Sequence, residues 1–159
     1  MHLKHGVGEV VAIQEMVFGG TKGTFYVFNI FSDPSKTTSS TMQKTMVPTQ
    51  GQRVLRAVMS EAEAELVMET MRAKEVAVNE HPWSRRFRAY QEMISSGSPF
   101  EVAKVMRDMH RLKFDKDLSF GERRLLDQAK ALLLKELALA KGVADEVLCA
   151  EVDAIFATA

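Results

Sequence analysis

The sequence has one cysteine, Cys149, among its 159 residues, and its net charge is zero. A lone thiol cannot close a disulfide within the chain or build a zinc site, so we expect a reducing, cytoplasmic compartment and no metal. No run reaches the roughly 18 apolar residues that span a membrane, and no apolar stretch follows the start as in a signal peptide. With 21 basic and 21 acidic residues, any nucleic-acid surface must be local.

Motifs for catalysis and cofactor binding are also missing. Gly6-Val7-Gly8 lacks the third glycine and the following helix of a dinucleotide site. The four histidines show no ligand spacing. Asp115 and Asp117 stand among lysines and are expected to be solvated, while Cys149 is expected to be a small buried apolar residue. We therefore predict that the chain is not an enzyme and needs no cofactor.

Residues 1–58 have the pattern of β-strands. Segments 7–16 and 24–31 are rich in β-branched and aromatic residues, and glycines between them favour a turn. Further strands are expected at 42–47 and 53–58. Together these segments predict a small antiparallel sheet or a partial barrel.

Residues 59–159 have helical periodicity instead. Serine followed three residues later by glutamate marks a capping box, and apolar residues then recur every three or four positions. Helices are expected to begin at Ser60, Pro82, Ser98 and Ser119, with a short last helix after Gly142. The methionines of these helices are expected to fill the core. The predicted fold class is α+β, with a β domain at 1–58 and a helical domain at 59–159.

One cluster at a helix start combines aromatic and basic residues. Trp83, the only tryptophan, is followed within two turns by Arg85, Arg86 and Arg88. A tryptophan beside a basic helix face can contact DNA while the arginines bind phosphates. A packing anchor beside a solvated arginine face is the other interpretation. The stretch 83–116 is basic overall, with eight lysines and arginines against four acids: Arg85, Arg86, Arg88, Lys104, Arg107, Arg111, Lys113 and Lys116 against Glu92, Glu101, Asp108 and Asp115.

At these residues the sequence resembles the CarD/CdnL family of bacterial transcription regulators. The similar stretches are WSRRF at 83–87, VAKVMRD at 102–108, KDLSFGERRLL at 116–126 and LLKELALA at 133–140. Near the start, HGVGEV at 5–10 resembles the family's opening glycine motif. Met46, Val47 and Pro48 resemble the end of a later strand.

The resemblance implies a regulator with two partners. A Tudor-like N-terminal domain would bind the β subunit of RNA polymerase, and we assign Met46, Val47 and Pro48 to that contact. The helical domain would contact promoter DNA at the upstream edge of the melted region. There Trp83 would act as a minor-groove wedge that stabilises the open promoter complex. Residues near the DNA backbone would be Arg85, Arg86, Arg88 and Arg123.

Three features depart from the family pattern. Family members usually have a further strand before the glycine motif, whereas Met1 here falls almost on that motif. The loop at 32–42 is longer than usual. Pro82 stands where a small polar residue is common.

We expect a cytoplasmic monomer that joins the nucleoid through RNA polymerase, with little DNA sequence preference. A structural adaptor that binds two proteins and no DNA is the alternative.

Overall fold

Two compact units make up the chain, Met1–Ala57 and Val58–Ala159. The computed structural model describes residues 1–31, 43–50, 54–74 and 82–157. In that part of the chain, a three-stranded antiparallel sheet lies in the first unit and five helices lie in the second. The predicted α+β class is therefore confirmed. The arrangement also agrees with a Tudor-like domain followed by a helical domain.

The sheet consists of β1 (Gly8–Phe18), β2 (Thr21–Ile30) and β3 (Gln43–Pro48), in the order β1-β2-β3. Gly19 and Gly20 join β1 to β2, and both have positive φ angles, 55° and 82°. A two-residue hairpin turn with both residues at positive φ matches the twist of the strands and favours glycine. The sequence thus folds locally into a tight hairpin.

A small apolar core covers one face of this sheet. Phe28, Ile30 and Val47 are buried there, and Val54 and Leu55 pack against them. The strand predicted at 53–58 is wrong for its described part, 54–58. Leu55 makes one isolated bridge to His2, with hydrogen bonds from Leu3 N to Val54 O and from Arg56 N to Met1 O. This pairing with residues 1–3 is too short to form a further strand.

Gly6 and Gly8 are required for two different structural reasons. Gly6 has a φ of 87°, which L-residues with side chains rarely adopt. Gly8 begins β1 where an added Cβ would overlap the Asn29 carbonyl oxygen and lie 2.8 Å from the Phe28 ring. The motif therefore lets the chain turn and then lie tightly on β2.

The helices are α1 (Glu61–Arg72), α2 (Trp83–Ser95), α3 (Pro99–Asp115), α4 (Phe120–Lys141) and α5 (Asp145–Ala157). Complete capping boxes begin α1 at Ser60 and α4 at Ser119. The box predicted at Ser60 and the helix start predicted at Ser119 are therefore confirmed. Gly97 and Gly142 follow the ends of α2 and α4 with positive φ angles.

The capping box predicted at Ser98 is wrong. The Ser98 side chain makes no capping hydrogen bond. Its backbone N–H donates to Ser96 Oγ at 3.1 Å, and the Glu101 carboxylate accepts a hydrogen bond from Lys104 Nζ at 2.7 Å. The Ser98 N–H and the Glu101 carboxylate, which would pair in such a box, are thus engaged elsewhere. Pro99 does occupy the first turn, where its missing N–H costs nothing.

The helical core follows the predicted apolar stripes. Met68, Met71, Met106 and Met109 are buried, while Met93 is only partly buried. Helix α4 buries its predicted stripe: Leu125, Leu126, Ala129, Leu132, Leu133 and Leu137.

Cys149 was expected to be buried, and this is wrong because the residue is exposed. Helix α5 buries Leu148, Val152 and Phe156, which recur every four residues. Cys149 lies about 100° around the helix from Leu148. Among the helices of the described ranges, none is long and apolar enough to cross a membrane.

Candidate nucleic-acid interface and sheet edge

Trp83 is the first residue of α2, immediately after the N-cap residue Pro82. Its indole is partly buried. The Phe87 ring, one turn along, lies 5.6 Å from the Trp83 ring between centroids, at an interplanar angle of 56°. The Arg86 guanidinium lies over the indole, 5.6 Å from its centroid. A cation–π contact and an aromatic contact therefore hold one indole in place while part of it stays accessible.

The first turn of α4 lies beside the same indole. A Cβ added to Gly121 would be 3.3 Å from Trp83 Cζ2 and 4.0 Å from the Phe87 ring. The sequence offers only a weak signal for this neighbour, a glycine inside a helix start. Phe120, directly before it, is 79% exposed. Sequence reasoning did not assign either residue to the site.

The predicted arginines occupy two neighbouring helix starts. Arg85 and Arg88 are exposed on α2, and Arg86 is partly buried against Trp83. Arg123 is exposed in the first turns of α4, two residues after Gly121. Residues two apart on a helix differ by about 200° in direction, so Arg123 lies on another side of α4 than Gly121, which faces Trp83.

The electrostatics at the start of α2 are unusual for a helix. Its first turn has no acidic residue, and Pro82 provides no side-chain cap. The positive end of a helix dipole favours anions and disfavours cations. Arg85 and Arg86 therefore add charge where the backbone is already positive, an arrangement suited to a bound anion such as a phosphate.

Of the five other basic residues in the stretch 83–116, Lys113 is exposed and four interact with acidic or carbonyl groups, so the simple charge count overstates the basic surface. Arg107 is 6% exposed and pairs with Asp108 at 3.0 Å. Arg111 donates to the Ala73 carbonyl. Two lysines pair with glutamates: Lys104 with Glu101 and Lys116 with Glu122.

Arg107 belongs to a network that ties three helices together. Besides Asp108, it donates to Thr70 O at 3.5 Å near the end of α1. Tyr90 of α2 donates to Asp108 Oδ2 at 3.4 Å. Burial raises the pKa of Tyr90 to about 12 and raises the pKa of Asp108 although Arg107 opposes that shift. These groups serve the fold and not a surface.

The three residues assigned to polymerase binding face different ways. Met46 is 47% exposed and Pro48 is exposed, but Val47 is 3% exposed in the core of the sheet unit. The Val47 side chain therefore cannot contact a partner without unfolding that core. Only its neighbours and the strand's backbone are accessible.

Strand β3 is an edge strand in the described sheet. Thr49 N bonds to Thr24 O at 2.9 Å, and hydrogen-bonded pairs alternate along antiparallel strands. With the observed register, Phe28 pairs with Thr45 and Val27 with Met46. The backbone N–H and C=O groups of Lys44 and Met46 therefore point away from β2. Pro48 occupies the next outward position, and proline has no N–H group to present there. Proline fits this outward position of an edge strand.

Comparison with known proteins gave two findings. The family model described as "CarD, C-terminal domain" matches residues 66–153. A protein of Bacillus subtilis (strain 168) described as "Putative transcription factor YdeB" is 28% identical over 150 residues, covering 89% of this chain and 88% of that protein. The matched range of the family model contains the whole surface formed by Trp83, its arginines and the first turns of α4.

Proposed function

The chain belongs to the CarD family, since the family model covers more than half of it, and we propose that it regulates transcription by binding RNA polymerase and promoter DNA together. In this proposal the helical unit stabilises the open promoter complex. The sheet unit binds the β subunit of the polymerase. The chain has no catalytic role and uses no cofactor.

The observation that carries the DNA contact is the setting of Trp83. A partly exposed indole stands at a positive helix end, Arg85 and Arg88 are exposed on the same helix, and Arg123 is exposed in the first turns of α4. Apolar side chains that enter the minor groove stabilise unstacked base steps, and arginines nearby bind phosphates. This combination suits the upstream edge of melted DNA. We include the exposed Phe120 in the same contact surface.

The proposed mechanism is a shift in an equilibrium. A protein bound to polymerase is held near the promoter at high effective concentration. Trp83 prefers DNA whose fork is distorted, so binding favours the open state by the difference in affinity. Phosphate contacts and an apolar wedge carry little sequence information, and we therefore expect activity on many promoters.

The open edge of β3 supports the polymerase contact. Lys44 and Met46 present backbone donors and acceptors outward, and the Met46 side chain is exposed beside them. An edge strand can extend the sheet of a partner by backbone hydrogen bonds. We therefore assign binding of the β subunit to backbone pairing along β3.

An adaptor that binds two proteins is the competing function. The exposed Phe120 beside Trp83 could also serve as an aromatic hot spot in a protein interface. A DNA mobility shift at increasing salt separates the two functions, because phosphate contacts weaken steeply with salt. An absence of any DNA shift at low salt would favour the adaptor.

The test of the DNA contact is Trp83→Ala in the full chain, with Phe114→Ala as a matched control. Phe114 is an aromatic residue near the end of α3 and 64% exposed. Trp83→Ala should retain polymerase binding and shorten the lifetime of open complexes. A wedge worth about 1.4 kcal/mol changes the equilibrium tenfold. Phe114→Ala should leave the lifetime unchanged.

Thermal unfolding of the same variants is the counterpart measurement. A fully buried aromatic residue costs about 3–5 kcal/mol on truncation to alanine, and the partly buried Trp83 should cost clearly less. A large drop in melting temperature with an unchanged open-complex lifetime would make Trp83 a packing residue and refute this mechanism.

A further inference from the structure

Gly121 occupies a position where glycine is unfavourable unless something requires it. It is the second residue of α4, within regular helix, where glycine is less stable than alanine. Its backbone does not have the positive φ that explains Gly19, Gly20 and Gly142. The feature that crowds a side chain there is the Trp83 indole, whose Cζ2 lies 3.3 Å from where a Cβ would stand.

We infer that Gly121 is a positioning residue for Trp83: its missing side chain lets the indole lie against α4, in the orientation that contacts DNA. A methyl group at 3.3 Å is closer than about nine in ten real Cβ contacts, so one of the two groups must move by a few tenths of an ångström. The backbone of α4 is fixed by the Ser119–Glu122 capping box. The partly exposed indole is therefore the group that shifts.

Three of the described residues lie beside the indole. Arg86 lies over the ring, Phe87 is tilted against it, and Gly121 lies at Cζ2. Two of these belong to α2 itself and move with Trp83. Gly121 belongs to α4, so its contact fixes the indole relative to that helix. A wedge must be held in its productive geometry to offset unstacking, and a small displacement weakens it.

This inference rests on the proposed DNA contact, and Gly121→Ala in the full chain tests it. Trp83 is the only tryptophan, so intrinsic fluorescence reports its surroundings without DNA. Gly121→Ala should shift the emission maximum and change quenching by acrylamide. The melting temperature should be retained or raised, because alanine favours helix. The open-complex lifetime should fall severalfold, so a variant at least as stable would be less active.

Ala131→Gly is the matched control. Ala131 is exposed on α4, about 15 Å along the helix from Gly121. The reverse exchange there should lower the melting temperature and leave both the fluorescence and the open-complex lifetime unchanged. If Ala131→Gly shortened the lifetime as much as Gly121→Ala, any change in α4, and not the indole position, would be enough to shorten it, and the inference would fail.

A double-mutant cycle with Trp83→Phe tests whether Gly121 acts through the indole. Phenylalanine is smaller and should leave room for the alanine methyl. Adding Gly121→Ala to Trp83→Phe should therefore change the lifetime less than adding it to the natural chain. Additive effects would overturn the positioning role.

The outcomes separate this inference from the proposed function. An unchanged spectrum and lifetime in Gly121→Ala, beside a shortened lifetime in Trp83→Ala, would overturn the positioning role and leave the DNA contact standing. A shifted spectrum with normal lifetimes in both Gly121→Ala and Trp83→Ala would overturn the DNA contact itself, and with it any role of Gly121 there.

Discussion

At the scale of single residues, the arginines near Trp83 divide into two kinds. Arg85, Arg88 and Arg123 are exposed, and replacing one by alanine should weaken binding about equally on all DNA sequences. Each lost phosphate contact should flatten the salt dependence by roughly one unit on a logarithmic plot. The measurement is DNA affinity at several salt concentrations on two unrelated promoters. A loss confined to one promoter would mean base recognition instead.

Arg86 should behave differently from the other three. Its guanidinium lies over the Trp83 ring, so Arg86→Ala removes a contact to the indole as well as a charge. Arg86→Ala should therefore alter tryptophan fluorescence, whereas Arg88→Ala should not. Equal spectra for the two variants would show that the stacking contact does not hold the indole.

His110 predicts a pH dependence of folding. It is buried on α3, and its ring stacks on Phe156 of α5 with centroids 4.1 Å apart. Burial, with smaller contributions from Lys130 and Lys113, lowers the pKa of His110 to about 4, although Asp153 opposes this shift. The folded chain therefore binds this proton less readily than the unfolded chain.

The lowered pKa of His110 determines how the stability of the fold changes with pH. Above pH 6.5 His110 is neutral in both the folded and the unfolded chain, so its titration does not lower the free energy of unfolding. As pH falls from 6.5 toward 4, the unfolded state takes up a proton first, and up to about 3 kcal/mol is lost. His110→Phe keeps an aromatic stack and should lose less stability over this range. Parallel denaturation midpoints for the two proteins would contradict the prediction.

At the scale of elements, α3 shows that neighbouring cations can have unrelated roles. Arg107 binds Asp108 inside the protein and reaches Thr70 on α1. Lys104, one turn earlier, pairs with Glu101 at the surface. The helix thus presents one cation to its core and another to solvent.

Arg107→Ala should destabilise the fold because it leaves Asp108 buried without its partner. Such losses are typically about 3–5 kcal/mol, whereas an exposed pair contributes about 0–1 kcal/mol. Urea unfolding of Arg107→Ala and the control Lys104→Ala measures the difference. Similar midpoints for the two variants would mean that the Asp108 carboxyl finds another partner.

Strand β3 gives the matching prediction for the sheet unit. The Met46 N–H points to the open edge, so Met46→Pro should weaken binding to the polymerase β subunit while keeping the pairing with β2. Met46→Ala removes only the side chain and should have the smaller effect. Pull-down by the full-length variants, with melting temperature as the folding control, measures both. A larger loss in Met46→Ala would assign the contact to the side chain.

At the scale of the whole molecule, local signals in the sequence predicted most of the fold. The capping boxes at Ser60 and Ser119 and the glycine pair at 19–20 act within a few residues, so they can be recognised in the sequence. The same holds for the cluster from Trp83 to Arg88. Hydrophobic periodicity then gave the buried stripe of α4.

What the sequence did not reveal depends on contacts between distant residues. Gly121 meets Trp83 across 38 positions, and nothing in either local pattern names the other. Cys149 was misplaced because a short amphipathic helix leaves its rotation to the packing of Leu148 and Phe156. The predicted box at Ser98 failed because Glu101 had a closer partner in Lys104.

The open edge of β3 can promote aggregation as well as binding to a partner. Any strand that leaves its backbone groups free can pair with a copy of itself and begin aggregation. Here Pro48 withholds one donor and Lys44 places a charge beside the others, and both features protect edge strands. The features that restrict which strand can join β3 therefore also oppose aggregation along this edge.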